Sequence, residues 1–287
     1  MKKKCDMQGK RVFVTGAGGY IGRHLVTALC DAGAEVLIPM HHADRVDERA
    51  VRVDAEIFSG SETIYQDLGE PDVLIHLAWR DGFRHQSDAH MQNLPNHVFF
   101  LRNLMQGGLK QLVVMGTMHE IGYHEGAISA DTPCNPTNFY GIAKDALRRC
   151  AFLMAEEYGT CLQWPRAYYI LGDDRNNKSV FAKLLEAAER GQERFPFTSG
   201  THRFDFIDVL ELAQQLMWIA AQEQVTGIIE CCTGEPVSLG EQAERFIRSH
   251  NLKITLDYGK FPEPKGESPG VWGDPTRIRQ IRDIVLR

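Results

Sequence analysis

Apolar runs rich in β-branched residues alternate along this chain with stretches whose apolar positions recur every three or four residues. Residues 12–15, Val-Phe-Val-Thr, form the first such run. Leu25, Leu29 and Ala32 then stand at i, i+4 and i+7, with Val26 and Ala28 beside them. That pattern predicts a strand, a tight turn and a helix. Gly33 closes the helix. Residues 35–38 predict a second strand, 51–54 a short third and 72–78 a fourth. A polar, histidine-rich loop over 79–90 precedes a predicted helix over 91–106, which Gly107-Gly108 stops. Residues 111–115 read as a fifth strand. A long helix over 139–157 and a sixth strand within 162–171 follow.

Strands alternating with helices predict an α/β fold of the Rossmann type, a doubly wound parallel sheet covered on both faces, with ligand outside the carboxyl ends of the strands. The rhythm changes after Gly172. Residues 173–178 are polar and loop-like, and 179–190 predict a helix. Residues 204–209 form a short strand leading into a helix that runs to 220, and 228–232 return to strand. The stretch 261–273, with its prolines and glycines, reads as loop. The expected division is a nucleotide-binding domain over 1–172, to which 204–230 returns, and a smaller C-terminal substrate-binding lobe from 173–203 and 231–287. No internal repeat or low-complexity segment breaks this pattern.

Composition narrows the classes. With 287 residues, 43% hydrophobic and 24% charged, the chain reads as an ordinary globular protein. A net charge of −6 offers no broad basic field, so nucleic acid is not the expected main partner. No apolar run approaches the ~20 residues of a membrane span. The basic start lacks the apolar segment of a secretory signal. The seven cysteines are odd in number, scattered and without a C-x-x-C pair, which suits reduced thiols and a cytoplasmic location.

Candidate chemistry begins at the first turn. Gly16, Gly19 and Gly22 are spaced by three between a strand and a helix. Glycine permits the sharp turn and a close backbone approach, and the free N–H groups at the helix start favour a pyrophosphate. Tyr140 and Lys144 lie four apart on one predicted helical face. A neighbouring ammonium favours the phenolate, so the pair is expected to exchange a proton with a substrate oxygen, with Lys144 lowering the Tyr140 pKa. Thr117 follows the fifth strand, where its hydroxyl would reach a reacting oxygen. His119-Glu120 and His124 form H-E-x-x-x-H, which lacks the spacing of a helical zinc motif, so no metal is expected. His85, His90 and His97 have no ligand-like companions and read as surface or sheet-edge residues.

Taken together, these segments resemble the extended short-chain dehydrogenase/reductase family, in its NAD-dependent epimerase/dehydratase group. Residues 15–22 look like its T-G-x-x-G-x-x-G turn and 75–78 like its strand-four motif. Residues 135–144 look like its catalytic helix, and 203–209 like an R-D-F-I-x-V segment. The resemblance implies Tyr140 as catalytic acid/base and Lys144 as the residue that holds the nicotinamide ribose. It implies Thr117 as the partner of the substrate oxygen. Gly16, Gly19, Tyr20, Ile21 and Gly22 would line the pyrophosphate, with Leu77 and Ala78 beside the cofactor. Asp54 would reach the adenine, with Asp67 as its rival, and Arg203 would hold the diphosphate of a nucleotide sugar.

Two departures sharpen the expectation. The acid usual at the end of the second strand is replaced by Met40, followed by His41, His42 and Arg45. His41 and Arg45 would accept a 2′-phosphate, which puts NADP(H) first and NAD(H) second. The dehydratase sequence T-D-E is replaced by Thr117-Met118-His119, which argues against water elimination; His119 reads as a substrate-pocket residue or second proton donor, with a hydrogen-bonded loop histidine as the alternative. Residues 117–126 also resemble a subgroup of 4-ketoreductases that make 6-deoxy-talose nucleotides. The expected activity is NAD(P)H-dependent reduction of a nucleotide-linked 4-keto-6-deoxy sugar, with a 4-epimerase as the alternative. By the same resemblance the chain would form a homodimer through the helices after Asn93 and after Phe139.

Overall fold

The computed structural model describes residues 5–41, 45–172, 179–264, 266 and 268–287. His42 and the loop expected over 173–178 lie outside the described residues. The elements run β1 (Arg11–Thr15), α1 (Gly22–Asp31), β2 (Glu35–Pro39), β3 (Val51–Val53), α2 (Ile64–Asp67), β4 (Val73–His76), α3 (Ala89–Gln106) and β5 (Gln111–Val114). After β6 (Gly116–Thr117) and a 3-10 turn at Met118–Glu120 come β7 (Gly126–Ile128), α4 (Phe139–Tyr158), β8 (Cys161–Ala167) and β9 (Tyr169–Leu171). The remainder comprises α5 (Val180–Glu189), β10 (Arg194–Pro196), β11 (Arg203–Phe204), β12 (Phe206–Asp208), α6 (Val209–Ala220) and β13 (Gly227–Cys231). It closes with β14 (Val237–Ser238), α7 (Leu239–Ser249), β15 (Thr255–Asp257), β16 (Gly270–Gly273) and α8 (Thr276–Val285).

The large sheet has the order β3-β2-β1-β4-β5-β8-β13, with β6 against β8, and every one of its pairings is parallel. Its central strands are buried along their length, because crossover helices cover both faces. Leu25 and Leu29 of α1, Leu212 and Leu216 of α6, and Ile278 and Ile281 of α8 pack on one face. Phe100 and Leu104 of α3 and Leu147 and Ala151 of α4 pack on the other. The chain runs outward one way from β1 and the other way from β4. The crevice between their carboxyl ends is therefore the topological switch point, where such sheets bind ligands.

A smaller sheet, β14-β11-β16-β7, shares a third core with α5 and α7, built on Phe181, Phe204, Phe246 and Val271. Asp205 staples this layer. Its buried carboxylate accepts from the Thr233 N–H (2.9 Å) and hydroxyl (2.7 Å), the Gly234 N–H (2.9 Å) and the Gly273 N–H (3.3 Å).

Several boundaries differ from the sequence reading. The fourth strand stops at His76, because the N–H groups of Leu77 and Ala78 turn to the Thr15 hydroxyl, each at 3.2 Å. The predicted sixth strand breaks into β8, in the large sheet, and β9, which pairs with β12. The segment read as loop over 261–273 ends in β16, held between β11 and β7. Helices α7 and α8 occupy stretches to which the sequence reading assigns no element. Ile278 and Ile281 place α8 on the large sheet.

Candidate active site

The glycine turn sits at the switch point. Gly16 has φ +68°, and a Cβ there would lie 2.8 Å from the Ala78 nitrogen. The turn is thus pressed against the end of β4. A Cβ on Gly22 would lie 2.2 Å from the Gly16 carbonyl oxygen, so the first turn of α1 cannot carry a side chain there. Ile21 is the N-cap, and no side chain caps α1. A helix start without a side-chain cap suits an anion. The Tyr20 hydroxyl donates to the Gly172 carbonyl, tying the turn to the segment after β9. A bare helix start with no room for a Cβ fits a dinucleotide pyrophosphate.

At the outer edge of the sheet, Met40 follows β2 and is 45% exposed. His41, Arg45 and Asp54 are exposed as well. The rival Asp67 is engaged locally, accepting from Ser61 (3.1 Å) and Thr63 (3.2 Å).

Thr117, Tyr140 and Lys144 converge beyond β5. Thr117 begins the 3-10 turn: its hydroxyl accepts from the His119 N–H (3.3 Å), and its own N–H donates to Glu120 Oε1 (2.9 Å). This reciprocal cap fixes the hydroxyl. Asn138 caps α4 by accepting from the Gly141 N–H at 2.8 Å, which starts the helix one residue before Tyr140. The Tyr140 phenol lies beside Thr117. Lys144, 2% exposed, donates to the Met115 carbonyl at 2.8 Å and lies 4.0 Å from the Trp79 ring centroid.

The electrostatics correct one expectation. Burial pushes the Tyr140 phenol up to about 12, and the Thr117 side chain pulls the other way. Lys144 does not depress it. Burial instead brings Lys144 down to about 7, and its ammonium is directed at a carbonyl and an indole face.

The histidines are also corrected. His90 and His97 are 1% and 2% exposed. Thr15 accepts two N–H bonds, so its hydroxyl proton goes to His76 Nδ1 at 2.8 Å. His76 Nε2 then donates to His97 Nδ1, also at 2.8 Å. Trp79 donates to His90 Nδ1 (3.0 Å), and His90 Nε2 donates to the Arg84 carbonyl (3.0 Å). Trp79 stacks on His97 at 4.5 Å. His85 is half-buried rather than on the surface. It stacks on Tyr140 with centroids 5.4 Å apart and planes 11° apart, and it meets His119 at 4.1 Å. The sequence reading notes the histidine-rich loop over 79–90 but takes it as solvated, although it directly follows a strand that ends at the switch point.

Behind Thr117 lies a buried ionic chain. Glu120 Oε1 also accepts from Trp164 Nε1 (2.9 Å), and its Oε2 accepts from Arg166 Nε (3.0 Å). Arg166 reaches Glu230 at 3.2 Å, and the Tyr168 hydroxyl donates to Glu230 at 2.8 Å. Arg166 and Glu120 are fully buried. Sequence reasoning missed this chain, whose partners are 46 and 64 residues apart.

Arg203 stands apart. It is exposed, donates to the Pro236 carbonyl at 2.8 Å, and lines a cavity of about 500 Å³ with Ser199, Thr201, Ser238 and Tyr258. That lining does not include Thr117, Tyr140 or Lys144. His124 bonds the Ala127 carbonyl at 3.1 Å. Among the described residues no three metal-ligating side chains gather, and no helix is long and apolar enough to cross a membrane.

Comparison with known proteins adds to this geometry. The model of the NAD dependent epimerase/dehydratase family matches residues 12–232. The chain is 41% identical over 269 residues to a dTDP-6-deoxy-L-talose 4-dehydrogenase (NAD(+)) of Aggregatibacter actinomycetemcomitans, covering 91% of this chain and 98% of that protein. It is 24% identical to a UDP-glucose 4-epimerase of Corynebacterium glutamicum, covering 93% and 86%. Among solved structures, a UDP-N-acetylglucosamine 4-epimerase from Methanobrevibacter ruminantium superposes with TM-score 0.82 at 20% identity, over 96% of this chain and 92% of that one.

Proposed function

Because the chain belongs to the NAD-dependent epimerase/dehydratase family, we propose that it is an oxidoreductase that reduces the 4-keto group of a nucleotide-linked 4-keto-6-deoxy sugar. The reverse reaction is oxidation of the 4-hydroxyl. The observation that carries this reading is the Thr117–Tyr140 pair beside Met118 and His119. It supplies a proton and a hydrogen bond at a carbonyl oxygen and puts no carboxylate where elimination needs one. Near-complete coverage of a 6-deoxy-talose 4-dehydrogenase supports the same substrate class, with dTDP as the nucleotide.

The nicotinamide cofactor, when bound, supplies the hydride. The Gly16–Gly22 turn and the uncapped start of α1 would hold its pyrophosphate, with Tyr20, Ile21, Leu77 and Ala78 around it. Lys144 would hold the ribose. Tyr140, held near 12 and therefore protonated at neutral pH, gives its proton to the carbonyl oxygen as charge develops there, and the Thr117 hydroxyl positions that oxygen. His119 borders the sugar, and Arg203 is offered for a phosphate of the substrate. Asp54 is offered for the adenine.

On the coenzyme, NAD(+) in the relative's name supports NAD(H). The exposed Met40 at the end of β2 sets no acid against a 2′-phosphate, and His41 and Arg45 support acceptance of NADP(H) as well. Arg45→Glu is expected to weaken NADPH about tenfold while sparing NADH. Unchanged NADPH affinity would remove the arginine from this role.

Two further features belong to the same reading. Phe99 and Leu153, 49% and 70% exposed on α3 and α4, support a homodimer through these helices, checked by light scattering. Seven free cysteines support a cytoplasmic location.

The test is loss of NAD(P)H absorbance on mixing enzyme with a dTDP-4-keto-6-deoxyhexose. Tyr140→Phe should lower kcat by about 10²–10⁴-fold. No consumption of either coenzyme across several keto-sugars would overturn the reading. Coenzyme retained through purification and never consumed would favour the epimerase instead.

A further inference from the structure

His85 is placed by the catalytic helix itself. Its backbone carbonyl accepts the Tyr140 N–H at 3.0 Å, one of the free donors at the start of α4. Its loop is pinned as well. The Ser87 hydroxyl donates to Asp81 Oδ2 at 2.6 Å, the Arg84 N–H to the Asp81 carbonyl at 2.7 Å, and His90 Nε2 to the Arg84 carbonyl at 3.0 Å. The backbone that carries the imidazole is therefore held in place. The ring stacks on the Tyr140 phenol and meets His119, which comes from the turn that carries Thr117.

Five histidines surround this site, and they divide into two kinds. His76 and His90 spend both ring nitrogens on protein partners, and His97 is bonded to His76. The ring nitrogens of His85 and His119 meet no hydrogen-bond partner among the described residues, and neither residue is fully buried. Polar groups held beside a reacting pair without a protein partner are the groups a ligand satisfies. Burial lowers both rings, His119 to about 4, so each is neutral at pH 7. A neutral imidazole offers one donor and one acceptor, which is also what a sugar hydroxyl offers.

We propose that His85, paired with His119, hydrogen-bonds the C3 hydroxyl next to the reacting carbon and so sets which hexose ring is accepted. This deepens the ketoreductase reading and rests on it.

A binding measurement separates the two. Affinity for dTDP and for dTDP-6-deoxy-L-talose is measured by calorimetry in the presence of NADH, which cannot oxidise the 4-hydroxyl, for the wild type, His85→Phe and His85→Ala. The phenyl ring keeps the stack on Tyr140 and removes both nitrogens. Both variants are expected to bind the nucleotide sugar about tenfold more weakly and dTDP with unchanged affinity. Full recovery by His85→Phe of what His85→Ala loses would overturn the proposal and make the ring a shelf for Tyr140. So would equal losses for dTDP and the nucleotide sugar, or no loss at all. Failure of the wild type to turn over a 4-keto sugar would strike the ketoreductase reading alone, since the binding comparison needs no turnover.

Discussion

Glu230 should make the stability of this protein fall with rising pH, and one substitution should isolate the effect. Its carboxylate lies in the sheet between Arg166 Nη1 (3.2 Å) and the Tyr168 hydroxyl (2.8 Å). Arg166 also serves Glu120 at 3.0 Å, so one fully buried guanidinium is divided between two buried carboxylates. Burial raises Glu230 from its ordinary 4.5 to about 7, although Arg166 and Tyr168 both pull it down. Desolvation thus exceeds the pairing. With the folded pKa above the unfolded one, the native state binds the extra proton. The associated stability is complete below about 4.5 and is lost as pH rises through 7. The gap between 4.5 and about 7, at ~1.4 kcal/mol per pH unit, is worth roughly 3 kcal/mol.

Buried histidines act in the opposite sense. His76, His97 and His119 are held neutral by burial, so their contribution is present above pH 6.5 and lost as pH falls. The wild-type curve alone therefore cannot reveal Glu230, and the comparison must be with Glu230→Gln. The amide keeps an acceptor for Tyr168 and carries no titration. Urea or thermal unfolding of both proteins at pH 5, 6, 7 and 8 is the assay. Relative to the variant, the wild type should lose roughly 3 kcal/mol across this range, or roughly 5 °C in Tm for a chain of this size. A difference that stays flat from pH 5 to 8 would refute the reasoning, because Glu230 would then be ionised throughout and held by Arg166 at its ordinary strength.

Two other outcomes concern the coenzyme. Gly22→Ala places a Cβ 2.2 Å from the Gly16 carbonyl, so the turn must open. Coenzyme affinity measured by NADH fluorescence should fall more than tenfold, with unfolding destabilised by about 1–3 kcal/mol, and unchanged affinity would separate the turn from the pyrophosphate. Lys144, brought to about 7 by burial, is largely neutral at pH 8. An anionic dinucleotide should recharge it, so calorimetry of coenzyme binding in buffers of different ionisation enthalpy should show proton uptake at pH 8 that Lys144→Met abolishes.

The sequence shows most clearly what is local. The glycine turn and the strand–helix alternation each rest on short segments whose geometry their own residues determine, and the family resemblance is what joins Thr117 to Tyr140 and Lys144. What escapes it depends on partners far along the chain. Helix α7 carried a legible start, Ser238 followed three residues later by Glu241, and the Ser238 hydroxyl does accept the Glu241 N–H at 3.1 Å. Helix α8 carried Ile278 and Ile281 at helical spacing. By contrast, nothing near Glu120 announces Arg166, and nothing near Arg166 announces Glu230.

The histidines show why polarity misleads at such a site. A polar loop after a strand reads as solvated, and Trp79 to His90 is such a loop. Yet an imidazole made neutral by burial costs little to bury once each nitrogen has a partner. The chain from Thr15 gives both nitrogens of His76 a partner and Nδ1 of His97 one, with Trp79 stacked on His97. That arrangement sets an aromatic wall against Lys144, whose ammonium meets the Trp79 face and the Met115 carbonyl. The same wall continues over Tyr140 through His85 and His119, where the partners run out. The transition from paired to unpaired imidazoles marks where structural histidines end and the ligand's side of the site begins.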